Sequence, residues 1–192
     1  MKVRADNVSN MHSSIRAIAP LSALLVACCS SADKPATPNS GRSAPAAPTA
    51  APVNYGTMTV SPEAGSGNRQ KFTLKLARHP GAATPAMIGL LVTDRDGSNA
   101  CYAFRVIETQ DTLLVNDSGM GSKSIGDAAS IANSQCQVFK GAGVQSSADT
   151  ISADFDMKFQ PSFAGAKTVY AIAQDGAGGG SPLQQVGKFT VR

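Results

Sequence analysis

Between Thr150 and Phe159 the chain alternates strictly. Ile151, Ala153, Phe155, Met157 and Phe159 fall on one side, and Ser152, Asp154, Asp156 and Lys158 on the other. A repeat of two is the period of an extended strand, whose successive side chains point to opposite faces; a helix would scatter these apolar residues around its circumference. The pattern recurs at Phe72, Leu74 and Leu76 against Lys71, Thr73 and Lys75. One greasy and one wet face per strand is the signature of an antiparallel sheet. Further runs of β-branched and aromatic residues lie at 57–60, 87–93, 100–107, 112–115, 135–139, 168–173 and 185–191, punctuated by Gly, Asp, Asn and Pro. With 70–76 and 150–159, they predict an all-β domain over residues 56–192, a two-sheet antiparallel β-sandwich. A helical turn is expected only at Ile125 to Ile131.

The amino end has a different character. Positive charge at Lys2, Arg4 and Arg16 precedes an apolar stretch from Ala17 to Leu25, and small residues follow it. That is the layout of an export signal, 1–27. The stretch is about half the roughly 20 apolar residues that a membrane-spanning helix needs, and Pro20 interrupts it. Leu25-Val26-Ala27-Cys28 resembles the lipobox of bacterial lipoproteins. The resemblance implies cleavage before Cys28 and lipid attachment at its thiol, with each buried methylene contributing about 0.8 kcal/mol of anchoring. An ordinary secretory signal that carries a cysteine near its end is the alternative. Met11 could serve as the start in place of Met1 without altering the mature chain. Cys29, the residue after the lipidated position, is not the Asp that marks inner-membrane retention by resemblance to that sorting rule. The expected location is therefore the cell envelope, extracytoplasmic, at the outer membrane or cell surface, with the membrane as a partner through the lipid.

From 28 to 55 the chain is dominated by Ala, Pro, Ser and Thr. Repeated prolines and low apolar bulk favour extended, solvated conformers, so this segment is expected to be a disordered linker. Removing residues 1–27 takes away Lys2, Arg4, Arg16 and Asp6, leaving 14 basic and 12 acidic residues, a net +2. No Lys/Arg cluster interleaved with aromatics offers phosphates a surface, so nucleic acid is discarded as a partner.

Cys101 and Cys136 stand alone in the domain. In an oxidising compartment, without further ligands at metal-site spacing, two such cysteines are expected to pair as a disulfide. Cys29 is left as a second acylation site or a free thiol.

Several short pieces, among them Asn99-Ala100-Cys101-Tyr102, Asn116-Asp117-Ser118-Gly119, Asn133-Ser134-Gln135-Cys136 and Phe163-Ala164-Gly165-Ala166-Lys167, resemble a domain found, often as repeats, in uncharacterised secreted proteins of soil bacteria. Ala173-Gln174-Asp175 and the closing strand from Gly187 to Val191 are similar to the last hairpin of bacterial immunoglobulin-like and fibronectin-like modules. The resemblance covers about residues 58–192 and implies that the sandwich is immunoglobulin-like, but it implies no activity. The chain departs from it at Pro182-Leu183, where a tryptophan would precede the last strand.

Residues suited to chemistry are few. Serine-type catalysis needs a base, and His79, next to Pro80, is the one histidine of the mature chain and reads as a solvated turn residue. Asp94 and Asp96, in Asp94-Arg95-Asp96-Gly97-Ser98-Asn99, could offer oxygens to calcium, yet Asp-Gly is also a favoured hairpin turn. Asp117 and Asp175 could join such a site only if their turns share one end of the sandwich. Tyr102, beside Cys101, is expected to pack in the core near the disulfide, and without tryptophan a sugar-stacking platform is disfavoured. The glycine run 176–180 reads as a hairpin tip, having no following helix to cradle phosphate. The expectation is a non-catalytic binding or spacer module whose partner is an envelope protein or glycan, with no cofactor. Two alternatives are a calcium-stabilised adhesion or assembly module and a carboxylate-dependent enzyme acting on glycosides.

Overall fold

The computed structural model describes residues 52–94, 99–177 and 179–192. The expected signal peptide, Cys28 with its lipid, most of the linker, and Asp96 lie outside the described residues. Thirteen strands follow in order: β1 (Gly56–Ser61), β2 (Ala64–Gly67), β3 (Arg69–Arg78), β4 (Met87–Thr93), β5 (Ala100–Val106), β6 (Thr112–Val115), β7 (Ser122–Ser124), β8 (Ser130–Ala132), β9 (Cys136–Phe139), β10 (Val144–Ser146), β11 (Thr150–Phe159), β12 (Gly165–Gln174) and β13 (Gln184–Val191). One sheet runs β1-β3-β11-β9-β8, with β10 also paired to β11; the other runs β2-β13-β12-β4-β5-β6-β7. This is the strand order of a variable-type immunoglobulin sandwich, with β1, β3, β11 and β9 as A, B, E and D, and β13, β12, β4, β5 and β6 as G, F, C, C′ and C″.

The alternation seen in the sequence becomes the core. Ile151, Ala153, Phe155, Met157 and Phe159 of β11, and Phe72, Leu74 and Leu76 of β3, are all buried. Opposite them lie Ile88, Leu90 and Val92 of β4, Ala103 of β5, Val169 and Ala171 of β12, and Phe189 and Val191 of β13. Phe189 meets Phe72 and Phe159 of the other sheet at centroid distances of 5.7 and 5.4 Å. Each such phenylalanine contributes about 1.5–3 kcal/mol through its burial. On the wet face Lys71 pairs with Asp154 at 2.8 Å and Arg69 with Asp156 at 2.7 Å.

Three features depart from the expectation. The sandwich contains one parallel pair: the first strand crosses between sheets after Ser61, and β2 runs parallel to β13. Gly187 permits the crossing, because a Cβ there would lie 2.5 Å from the Glu63 carbonyl oxygen. Residues 125–131 form no helical turn. Ile125 and Ala128 close a single hydrogen-bonded turn of 2.9 Å, and the chain then enters β8. The Asp111 carboxylate, which accepts the Gly126 N–H and the Ser124 hydroxyl, holds this turn open. Finally, Tyr55, placed at the end of the linker, is 2% exposed and belongs to the core, and the Val53 N–H donates to the Gly180 carbonyl at 3.0 Å.

Candidate functional site

Strand β5 organises the surface of interest because a disulfide and a buried arginine both tie it to the opposite sheet. Its inward residues are Cys101, Ala103 and Arg105, all fully or nearly fully buried. Cys101 is bonded to Cys136 of β9, in the opposite sheet, with Cα atoms 5.8 Å apart. The expected pairing is present, but it joins C′ to D and not B to F as in antibody domains. Arg105 reaches across the same interior to the backbone of β11.

Since inward and outward positions alternate, these anchors force Ala100, Tyr102 and Phe104 onto the outer face. Tyr102 therefore does not pack in the core beside the disulfide; its neighbour Cys101 takes that place. Tyr102 and Phe104 lie against each other, ring centroids 4.4 Å apart at 45°. Phe104 covers Gly89 of β4, where a Cβ would come within 2.6 Å of its ring. The missing side chain at Gly89 is thus the seat of Phe104, which is only 6% exposed. Desolvation pushes the Tyr102 phenol up to about 12.

The two rings floor a groove of about 570 Å³. Its polar walls include Asn116 and Asp117 of the turn after β6, Gln135 before β9, and Gln174 at the end of β12. Ala100, another wall residue, pairs with Thr93, and Gln174 pairs with Met87; these partners are the two ends of β4. At about 3.3 Å per residue the groove extends roughly 20 Å along the strands. Asp117 is the one charged residue among its described walls. Its Oδ1 accepts the Ser134 N–H at 3.0 Å and the Ser134 hydroxyl at 2.8 Å, which holds its carboxyl below the usual carboxylate range. The Asn116 to Gly121 turn is closed by two 3.0 Å backbone bonds, from Gly119 N–H to the Asn116 carbonyl and from Asn116 N–H to the Gly121 carbonyl.

The remaining residues singled out from the sequence are dispersed. Asp94 follows β4, and its Oδ2 accepts the Asn99 amide at 3.1 Å. Among the described residues no group of three or more His, Cys, Asp or Glu side chains is placed to hold a metal. Asp117 and Asp175 do not share an end of the sandwich. Asp117 follows β6 near the level of Thr93, whereas Asp175 follows Gln174, level with Met87 at the far end of β4. Asp175 instead ties the glycine-rich tip, its Oδ1 accepting the N–H groups of Ala177 and Gly179, each at 2.8 Å. His79 sits exposed in a turn, its N–H on the Tyr55 carbonyl and its carbonyl accepting from Ala82.

A second depression, of about 390 Å³, brings Asp111 and Asp127 together beside Lys140. Glycoside hydrolysis requires one carboxyl held protonated by a raised pKa. Asp111 is displaced the other way, mainly by the Ser124 hydroxyl and further by the N–H groups of Thr112 and Gly126. It is ionised at neutral pH and has no proton to donate.

Phe104, Asn116, Gln135 and Gln174 were not legible as site residues, because polar or aromatic residues scattered over 70 positions carry no local spacing signal. The nearest hint is Gly89 inside an otherwise apolar strand, which marks a close approach by a neighbour. No protein-family model matches the chain, and neither the curated proteins nor the solved structures hold a significant match to it.

Proposed function

We propose that this chain is a lipid-anchored, extracytoplasmic binding module. Cys28 supplies the anchor, the Ala/Pro/Ser-rich linker supplies reach, and the β-sandwich presents a non-catalytic site on the outer face of its seven-stranded sheet. The observation that carries the reading is the groove over Tyr102 and Phe104, a concave site in which an aromatic floor meets mostly polar walls. The disulfide between the sheets suits an oxidising compartment. Kinship with secreted bacterial immunoglobulin-like modules belongs to the same reading.

The test uses the full chain in its native envelope. A photo-crosslinking residue at Ser118, on the groove rim, should capture a partner, while the same residue at Ser147, beside the opposite sheet, should not. Fatty-acid labelling should be lost in Cys28→Ser. Equal capture from both positions, or labelling that survives Cys28→Ser, would overturn the corresponding half of the proposal.

A further inference from the structure

Resting on the binding role just proposed, we infer that the groove takes a neutral, linear oligosaccharide, with a sugar ring laid on Tyr102 and its hydroxyls bonded to the side-chain amides of the walls. Four observations converge on this class.

The floor comes first. Tyr102 is braced by Phe104, which in turn sits in the space left by Gly89, so the phenol ring is held in place before any ligand arrives. A braced aromatic face costs little entropy to use, and it matches the C–H face of a pyranose. Tyr102 is only partly buried and remains open to the groove, whereas Phe104 beside it is buried.

The walls come second. Asn116, Gln135 and Gln174 carry side-chain amides. The Asn116 Oδ1 lies 2.8 Å from the Ser118 hydroxyl and the Gln135 Oε1 2.8 Å from the Ser134 hydroxyl, which orients these two amides and leaves each an NH₂ donor and a second lone pair on its oxygen. Vicinal hydroxyls, which both donate and accept, complement that pair. An anionic ligand would find no cation among the described wall residues, and it would face Asp117. A cationic ligand would find a single carboxylate whose Oδ1 is already committed to Ser134.

Shape is the third. A groove of about 570 Å³ lies within the roughly 300–1,000 Å³ range of small-molecule sites. Its wall residues reach from one end of β4 to the other, which favours a chain of rings over a single compact ring.

Rigidity is the fourth. The Asn116 to Gly121 turn is closed by its own backbone hydrogen bonds, and it is tied by Asp117 to Ser134, next to Gln135. Two wall residues from separate segments are thereby held in register without a ligand.

The experiment titrates the purified full chain with cellohexaose, maltohexaose and chitohexaose at up to millimolar concentration, by calorimetry and by intrinsic tyrosine fluorescence. The chain has three tyrosines and no tryptophan, so Tyr102 supplies a substantial part of that signal. At least one sugar should bind. Tyr102→Ala should weaken binding tenfold or more and Gln135→Ala several-fold, while Tyr102→Phe keeps the stacking ring and Ser147→Ala leaves affinity unchanged. The melting temperature of each variant shows that it folds, and Tyr102→Phe retains a test should Tyr102→Ala unfold. Failure of all three sugars, an affinity indifferent to Tyr102→Ala, or preference for polygalacturonate would each overturn the inference. Capture of a protein from Ser118 alongside failure of the sugars would sink the saccharide and leave the binding role standing.

Discussion

Arg105, in the seven-stranded sheet, donates from Nε at 3.0 Å and Nη2 at 2.7 Å to the backbone carbonyl oxygen of Asp154 in the other sheet. That carbonyl lies at a break in the ladder: along the same edge of β11, β10 pairs with residues 151–153 and β9 with 156–159, leaving Asp154 and Phe155 between them. The chain linking β9 to β10 swings away there, and Gly141 leaves room for the guanidinium, since a Cβ at Gly141 would be 2.1 Å from Nη2. Nη1 bonds the buried Thr112 hydroxyl. A buried charge thus fills a gap in one sheet from the other.

Removing this strut should be costly. Arg105→Ala should lower stability by about 2–4 kcal/mol, through lost charge-assisted hydrogen bonds and an orphaned buried carbonyl. Gly141→Ala should cost about 1–3 kcal/mol by displacing the guanidinium. If each acts through the other, the double variant should lose less than the sum. Urea denaturation measures all three.

The disulfide closes a 35-residue separation. Cys101→Ser and Cys136→Ser should each lower stability by about 4 kcal/mol on the chain-entropy account, and the double variant should lose little more. Additive losses in chemical denaturation would count against a shared bond.

Acid should destabilise the fold. Asp154 is held below the usual range chiefly by Lys71, with Thr73 assisting, and Asp111 chiefly by Ser124. A carboxyl whose folded pKa is depressed contributes stability that is fully present above its unfolded value of about 3.9 and is lost as pH falls through the lower folded value. Asp154→Asn should reduce stability at pH 7 and flatten the dependence of melting temperature on pH below about 4.

Alkali acts through Tyr102, which desolvation raises to about 12. A phenol raised on folding contributes stability fully present below its unfolded value of about 10 and lost as pH climbs towards the folded one. Tyr55 is also raised, by burial and by Asp175, so ultraviolet titration should show late ionisation from both rings, of which the Tyr102 part disappears in Tyr102→Phe, and that variant should lose less stability between pH 10 and about 12.

Gly89→Ala should displace Phe104, because the added methyl would overlap its ring at 2.6 Å. The expected loss is about 1–3 kcal/mol, with Phe104 and Tyr102 ring resonances shifted in nuclear magnetic resonance spectra. Combining it with Phe104→Ala should recover part of that loss, since the clash is then gone.

What the amino-acid order determined by itself was the period of two in β3 and β11, hence which of their side chains are sequestered, and the all-β character that follows. The limits of β4, β6 and β11 match the predicted runs because their apolar residues are bounded by turn formers. The short strands β2 (Ala-Gly-Ser-Gly) and β7 (Ser-Lys-Ser) left no apolar trace, since they are edge pieces held by backbone pairing with little burial. Tertiary structure alone decided the orientation of β5. Cys101, Tyr102, Ala103, Phe104 and Arg105 are apolar or long enough to suit either face, and only the partners across the interior, Cys136 and the Asp154 carbonyl, assign Tyr102 and Phe104 outward. The groove follows from that assignment, because its walls come from segments far apart in the chain that meet only once the sheets have paired.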